Sequence, residues 1–188
     1  MRRTTEGTWF SLQPSGEHFL GVAARASRDG RVLFGYFFGP YDHAPTADDI
    51  DGCTPAKAAL TCMFGDLHLS KGDWTVISGT LAWDREAWPI PRFCRHSELF
   101  ETYELVTYDD RDPAKEIGSA PVDESECAAH PPDELLGSGV VETVLAGSPA
   151  ASSNGNRKQA SGSPSVQGVH LGAARFRAGG RGRRWPVR

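Results

Sequence analysis

Residues 18–39 read HFLGVAARASRDGRVLFGYFFG. Asp29-Gly30 stands between two apolar arms. Such a pair is a strong hairpin signal, because both central positions of the favoured two-residue turn need a positive φ. On the first arm Leu20, Val22, Ala24 and Ala26 share one face; on the second Val32, Phe34, Tyr36 and Phe38 do. Both arms also carry apolar residues on the opposite face. Gly21 and Gly35 allow bending or a close approach of backbone. The stretch predicts a long, strongly curved antiparallel hairpin.

Outward from it, TWFSL (8–12) reads as a short strand and PYDHAPTADDIDGC (40–53) as a polar loop. Thr54-Pro55 has the form of a helix start, with Ala56, Ala59, Leu60 and Met63 at helical spacing and Gly65 as a stop. A turn at Lys71-Gly72 leads into a strand at GDWTVI. WDREAWPIPRF (83–93) is irregular, since Pro89 and Pro91 forbid a central strand. TYELVTYDD (102–110) alternates as a strand, the acidic and proline-bearing 111–136 predicts a surface wrap, and GSGVVETVL (137–145) predicts a last strand. The whole predicts an α+β fold, mainly β: a curved antiparallel sheet or partly closed barrel with one or two short helices. The domain spans 4–146. Residues 147–188, rich in Gly, Ser and Arg, predict a disordered tail.

Charge separates the same two parts. All 24 acidic residues and 12 of the 20 basic ones lie in 1–146, so that segment carries −12 and the remainder +8. An acidic body disfavours nucleic acid and favours basic partners. Weak nucleic-acid contacts are expected of the tail alone. No apolar run reaches the length of a transmembrane helix, and MRRTTEGTWFSLQ lacks the apolar core of a secretory signal. Cys53, Cys62, Cys94 and Cys127 contain no CxxC, so reduced thiols in the cytosol are expected.

Trp74, Trp83 and Trp88 crowd one stretch. Trp74 belongs to an alternating strand and predicts core. Trp83 and Trp88 lie in the proline-bounded loop beside Asp84, Arg85, Glu86 and Arg92, where an Asp84–arginine pair is expected to fix the loop. Trp and Arg are also the residue types enriched at interface hot spots. Tyr108-Asp109-Asp110 ends a strand in two carboxylates, a pattern seen at Mg²⁺ sites, but no matching second motif accompanies it. No histidine pair has zinc spacing, and G-x-S-x-G, P-loop and G-x-G-x-x-G signatures are lacking. The expectation is therefore no catalytic residue, no cofactor and no metal. Candidate partner-binding residues are Trp83, Asp84, Glu86, Trp88, Arg92, Asp109 and Asp110. The competing readings are a small metal-dependent hydrolase or nuclease using Asp84, Asp109 and Asp110, and a nucleic-acid adaptor acting through the tail.

The order of motifs adds a resemblance. An aromatic first strand, a hairpin ending in GYFF, an acidic loop, FGDLHL, KGDWTVI, WDREAWPIPRF, a tyrosine strand ending in YDD, and LLGSGVVETVL together resemble the immunity protein 26 family of bacterial polymorphic-toxin systems, over about 4–146. Thr75 and His68 depart from the proline and glycine expected there. The resemblance implies a cytoplasmic, non-enzymatic protein that binds and blocks a cognate toxin domain. Combined with the acidic body, it implies a basic toxin, with a nuclease as the natural candidate, and no membrane partner.

Overall fold

The computed structural model describes residues 3–78 and 83–147. The predicted tail lies outside them, apart from its first residue. Strands β1 (Thr8–Leu12), β2 (His18–Ala26), β3 (Val32–Tyr41) and β4 (Leu60–Gly65) come first. They are followed by helix α1 (Leu67–Lys71), β5 (Thr75–Ser78), β6 (Phe93–Ser97), β7 (Thr102–Asp109), β8 (Asp112–Val122), α2 (Glu124–Cys127), β9 (Leu135–Leu136) and α3 (Ser138–Ala146). They form a six-stranded sheet in the order β5-β1-β2-β3-β4-β9 and a three-stranded sheet, β6-β7-β8. Among the strands of the described residues, β4 and β9 pair in parallel and the other pairs are antiparallel. The fold is mainly β, as the alternation predicts. Among the described residues there are two sheets and no closed barrel.

The β2–β3 hairpin is the centre of the large sheet. Its turn is longer than the two-residue form predicted from Asp29-Gly30. Gly30 N–H donates to Ser27 O at 2.8 Å, and Ser27 N–H to Val32 O at 2.8 Å. Only Gly30, at φ 74°, takes the positive φ. Asp29 instead uses its carboxylate, accepting from the Ser27 hydroxyl and the Arg31 N–H. A register shift between Ala23 and Arg25 then breaks the simple alternation of β2. Leu20, Val22 and Ala24 pack on one face, while Ala26 packs on the other.

Both faces of this sheet are covered. One face gathers Phe10, Phe19, Leu33, Phe37, Phe64 and Trp74, closed by Leu69 of α1 and by Val141 and Leu145 of α3. Trp74 lies flat on Phe10, centroids 5.2 Å apart and 6° from parallel, and its Nε1–H donates to Glu142 at 2.7 Å. Phe10 reaches this position because residue 21 has no side chain: a Cβ there would sit 2.4 Å from the Phe10 ring. The opposite face gathers Trp9, Leu20, Val22, Phe34, Tyr36 and Phe38 beneath Ile50, Trp88 and Phe93.

Four expectations are corrected. Residues 54–65 are not a helix: Pro55–Lys57 form one 3₁₀ turn, and 60–65 form β4, paired with β3 from Val32↔Gly65 to Phe37↔Leu60. A short isolated helix gains little, whereas a strand satisfies the open edge of β3. Residues 112–122, expected as a surface wrap, are β8, whose prolines are tolerated because it is an edge strand. The predicted last strand is α3: Val141 and Leu145 are four residues apart and both buried, so tertiary packing overrides the β-branched composition. Cys94 and Cys127, expected as free thiols, are joined in a disulfide, while Cys53 and Cys62 are free. The bond ties β6 to α2.

Candidate functional site

The loop between β5 and β6 carries Trp83 and Trp88, and it is held by polar groups from distant elements. Trp88 is buried edge-on to Trp9, at 5.4 Å and 82°, and to Phe38, at 6.0 Å and 82°. Trp83 stacks on it at 5.7 Å and 17°. The ring of Trp83 lies over the backbone of Gly7, where any Cβ would come within 2.9 Å of it. The loop is thus a packed cover on the second core face. Trp88 offers no free surface.

Arg25 fixes this cover. Only 2% of it is exposed. Its guanidinium donates to Ala24 O (2.7 Å), Trp88 O (3.0 Å), Arg85 O (3.2 Å) and the Asp110 carboxylate (2.8 Å). Buried, this charge needs those partners. Arg85 repeats the pattern from the loop side, bonding Glu6 at 2.9 Å and Asp110 at 2.7 Å. Burial pulls the Arg85 guanidinium down, but Glu6 and then Asp110 hold it above its ordinary value. The Tyr36 hydroxyl donates to Pro89 O. Burial raises that phenol to about 12, so it remains a donor at any physiological pH.

Trp83, Trp88 and Asp110 are therefore brought together, through Arg25 and Arg85. Asp84 and Glu86 are exposed on the same loop. The expected Asp84–arginine pair is not the fixing contact. Asp84 accepts the Glu86 N–H at 3.0 Å and shapes the turn, while Arg85, Glu6 and Asp110 form the ion pairs. Arg92 faces α2, 3.8 Å from Glu126. Asp109 turns into the β7–β8 connection, accepting the Arg111 N–H at 2.8 Å with Lys115 at 3.5 Å. The Arg111 N–H is the main cause holding its carboxyl below the usual range.

This arrangement does not suit a metal. Asp110 is already matched by two guanidiniums, and Asp109 and Asp84 are used by backbone donors. Among the described residues no group of three or more His, Cys, Asp or Glu is placed to hold an ion. Nor is Cys53 an activated nucleophile. It lines a cleft of about 370 Å³ with Tyr41, Asp49 and Lys57, and burial pushes its thiol up rather than down.

Arg25, Glu6 and Gly7 were not singled out from the sequence. The available signal was Arg25, a charge inside an otherwise apolar strand. Apart from Ala24 O, its partners lie 60 and more residues away and leave no local mark.

A small acidic domain, with its central sheet covered on both faces and its conspicuous carboxylates bound to arginines or backbone, belongs to the class of mainly-β proteins built on two antiparallel-rich sheets. The particular family follows from comparison: the family model described as Immunity protein 26 matches residues 5–119, and the chain belongs to that family. Comparison with curated proteins and with solved structures gives no match. No helix among the described residues is long and apolar enough to cross a membrane.

Proposed function

We propose that the protein acts in the cytoplasm as a stoichiometric inhibitor, binding one cognate toxin domain and covering a cationic surface of it. The observation that carries this reading is the charge of −12 on residues 1–146 in a member of an immunity family. A nuclease toxin is the natural partner class, since a surface that holds nucleic acid is basic. The protein itself performs no chemistry in this reading. The Trp83–Trp88 loop, with Asp84, Glu86, Arg92, Asp109 and Asp110 around it, is the first candidate contact. Its exposed rim, not buried Trp88, would meet the partner.

The test is co-expression with a candidate toxin domain taken from the genomic neighbourhood of this gene, followed by titration of the purified pair at two salt concentrations. Protection of the host, a one-to-one complex and affinity that falls with salt are expected. Toxicity undiminished by the protein, or nuclease activity of the protein alone with Mg²⁺ that Asp110→Asn abolishes, would sink the reading.

A further inference from the structure

The β6–β7 hairpin ends in a feature that neither core explains. Leu99 is 83% exposed and Phe100 72%, the two most exposed large apolar side chains among the described residues. They occupy a four-residue turn closed by the Ser97↔Thr102 pair, with the Phe100 N–H donating to Ser97 O at 3.2 Å. Glu101 completes that turn at φ 49°, a left-handed conformation that glycine or asparagine adopts more readily. Beside the turn lies a hollow of about 460 Å³, lined by His96, Glu98, Glu101, Tyr103 and Glu124. Its aromatic wall is the cross-strand pair His96 and Tyr103, stacked at 4.4 Å and 10°. Glu98, Glu101 and Glu124 form no ion pair among the described residues, whereas Glu6, Asp110, Glu116, Glu126 and Asp133 do. Glu124 is held there because the Cys94–Cys127 bond fastens α2 to β6. Partial desolvation, then the charge of Glu124 and its hydrogen bond with the phenol, and last the charge of Glu101, raise the Tyr103 phenol.

We infer that this hairpin tip is the docking surface for the basic partner, Leu99 and Phe100 entering an apolar recess while the hollow takes an arginine or lysine side chain. The inference rests on the toxin-binding reading above and moves its centre away from the tryptophan loop. Three carboxylates around a flat π-stacked wall match a guanidinium in charge and shape. Apolar anchors beside unpaired charge form an anchor-and-rim surface. A second copy of the chain is disfavoured, because two acidic rims would meet. An anionic bilayer is disfavoured for the same reason.

The test uses the full chain and, as probe, a toxin domain from the genomic neighbourhood of the gene against which the protein protects in co-expression. Both substituted sets lie on exposed or hollow-lining side chains, so the thermal midpoint serves as the folding control. The Leu99→Ala/Phe100→Ala variant is expected to bind about 30-fold or more weakly with an unchanged midpoint. The Glu98→Gln/Glu101→Gln/Glu124→Gln variant is expected to bind about tenfold more weakly at low salt and to lose much of the salt dependence. Amide exchange of 98–102 should slow in the complex. If both folded variants bind as the wild type does, the docking surface is elsewhere and the inhibitor reading survives. If the wild type does not bind the probe, both fall together. Dimers of the free wild type that Leu99→Ala/Phe100→Ala disperses, or binding to phosphatidylcholine vesicles, with toxin affinity unaltered, would likewise overturn the assignment.

Discussion

The two sheets are stabilised in different ways. The six-stranded sheet is covered on both faces by interlocking aromatics: Phe10, Phe37, Phe64 and Trp74 on one, Trp9, Tyr36, Phe38 and Trp88 on the other. The three-stranded sheet contributes little to either core. Phe93, Leu105 and Val106 are buried, but β8 is exposed from Ala114 to Pro121. Specific ties hold it instead. The Cys94–Cys127 bond is one. Asp133 is another, accepting from Arg95 at 2.7 Å and from the Tyr108 hydroxyl at 2.7 Å, with Arg95 also reaching Glu116 at 2.7 Å. Asp110, just past β7, is tied to Arg25 of the large sheet. Burial of apolar area is non-directional and tolerates change, whereas a tie works only between its two ends. The large sheet supplies the stable body, and the small one presents an exposed hairpin to solvent.

The contrast can be broken most directly at Trp74. Truncation to alanine removes a fully packed indole and leaves Glu142 with His68 alone, at 3.3 Å. A loss of about 3–5 kcal/mol is expected, a large share of the usual stability of one domain. Denaturant unfolding should show both sheets lost together at a lower midpoint. If only the small sheet responded, the large sheet would not be the common support.

Severing the disulfide probes the other side. A Cys94→Ser/Cys127→Ser variant frees a separation of 33 residues, worth about 3.7 kcal/mol on the chain-entropy account. Amide exchange should quicken in β6, β7 and α2 and leave β2 and β3 nearly untouched. Equal acceleration in both sheets would mean that the bond supports the body and not the small sheet alone.

Arg25→Met separates the link between the sheets from the sheets themselves. The replacement fills much of the volume but strips donors from Trp88 O and Asp110. Asp110 is half exposed and keeps Arg85, so a cost of about 2 kcal/mol is expected rather than the full cost of breaking a buried pair. The expected signature is a loosened tryptophan loop, read as a red-shifted emission with faster quenching, on an otherwise native spectrum.

Legibility in the sequence follows the same division. The β2–β3 hairpin, β1, β5 and β7 could be read because alternation imprints a buried sheet on consecutive residues. The core position of Trp74 could be read for the same reason. The small sheet was half hidden: β8 carries Pro113 and Pro121, and a solvent-exposed edge strand needs no apolar periodicity. α3 reads as a strand because Val141 and Leu145, four residues apart, share one face on a strand as well as on a helix. The Cys94–Cys127 pairing and the partners of Arg25 join residues far apart in the chain, and no local spacing announces them. The candidate residues at Trp83–Trp88 were found as a cluster, but their burial by Trp9, Tyr36 and Phe38 depends on how a distant loop folds back.

The smallest expected effect is a pH response, and its sign follows from the ties. Asp109, Glu116 and Asp123 all belong to the small sheet or the turn after it. Each carboxyl is held below its ordinary value: Asp109 first by the Arg111 N–H, Glu116 by its bond from Arg95, and Asp123 by the Ser125 hydroxyl and the Glu126 N–H. A depressed carboxyl contributes stability that is fully present above its unfolded value and is lost as the pH falls through its folded one. The ordinary values are 3.8 for the aspartates and 4.5 for the glutamate, so these three carboxyls contribute no change between pH 8 and about 5.5. Below about pH 4.5 the small sheet should loosen first. These groups are exposed, so the change is modest and salt should blunt it. Amide exchange at pH 7 and pH 3.5, corrected for intrinsic rates, separates the regions: faster exchange in β7, β8 and α2 is expected, with β2 and β3 unchanged away from their connecting turn and the end of β3, where Asp29 and Asp42 are also held below their ordinary values. Glu116→Gln should remove part of the difference, because its neutral amide gains nothing from ionisation. Loosening of β2 and β3 at the same pH, or indifference of β8 to acid, would show that the ion pairs seen around Arg95 are not what holds the small sheet in place.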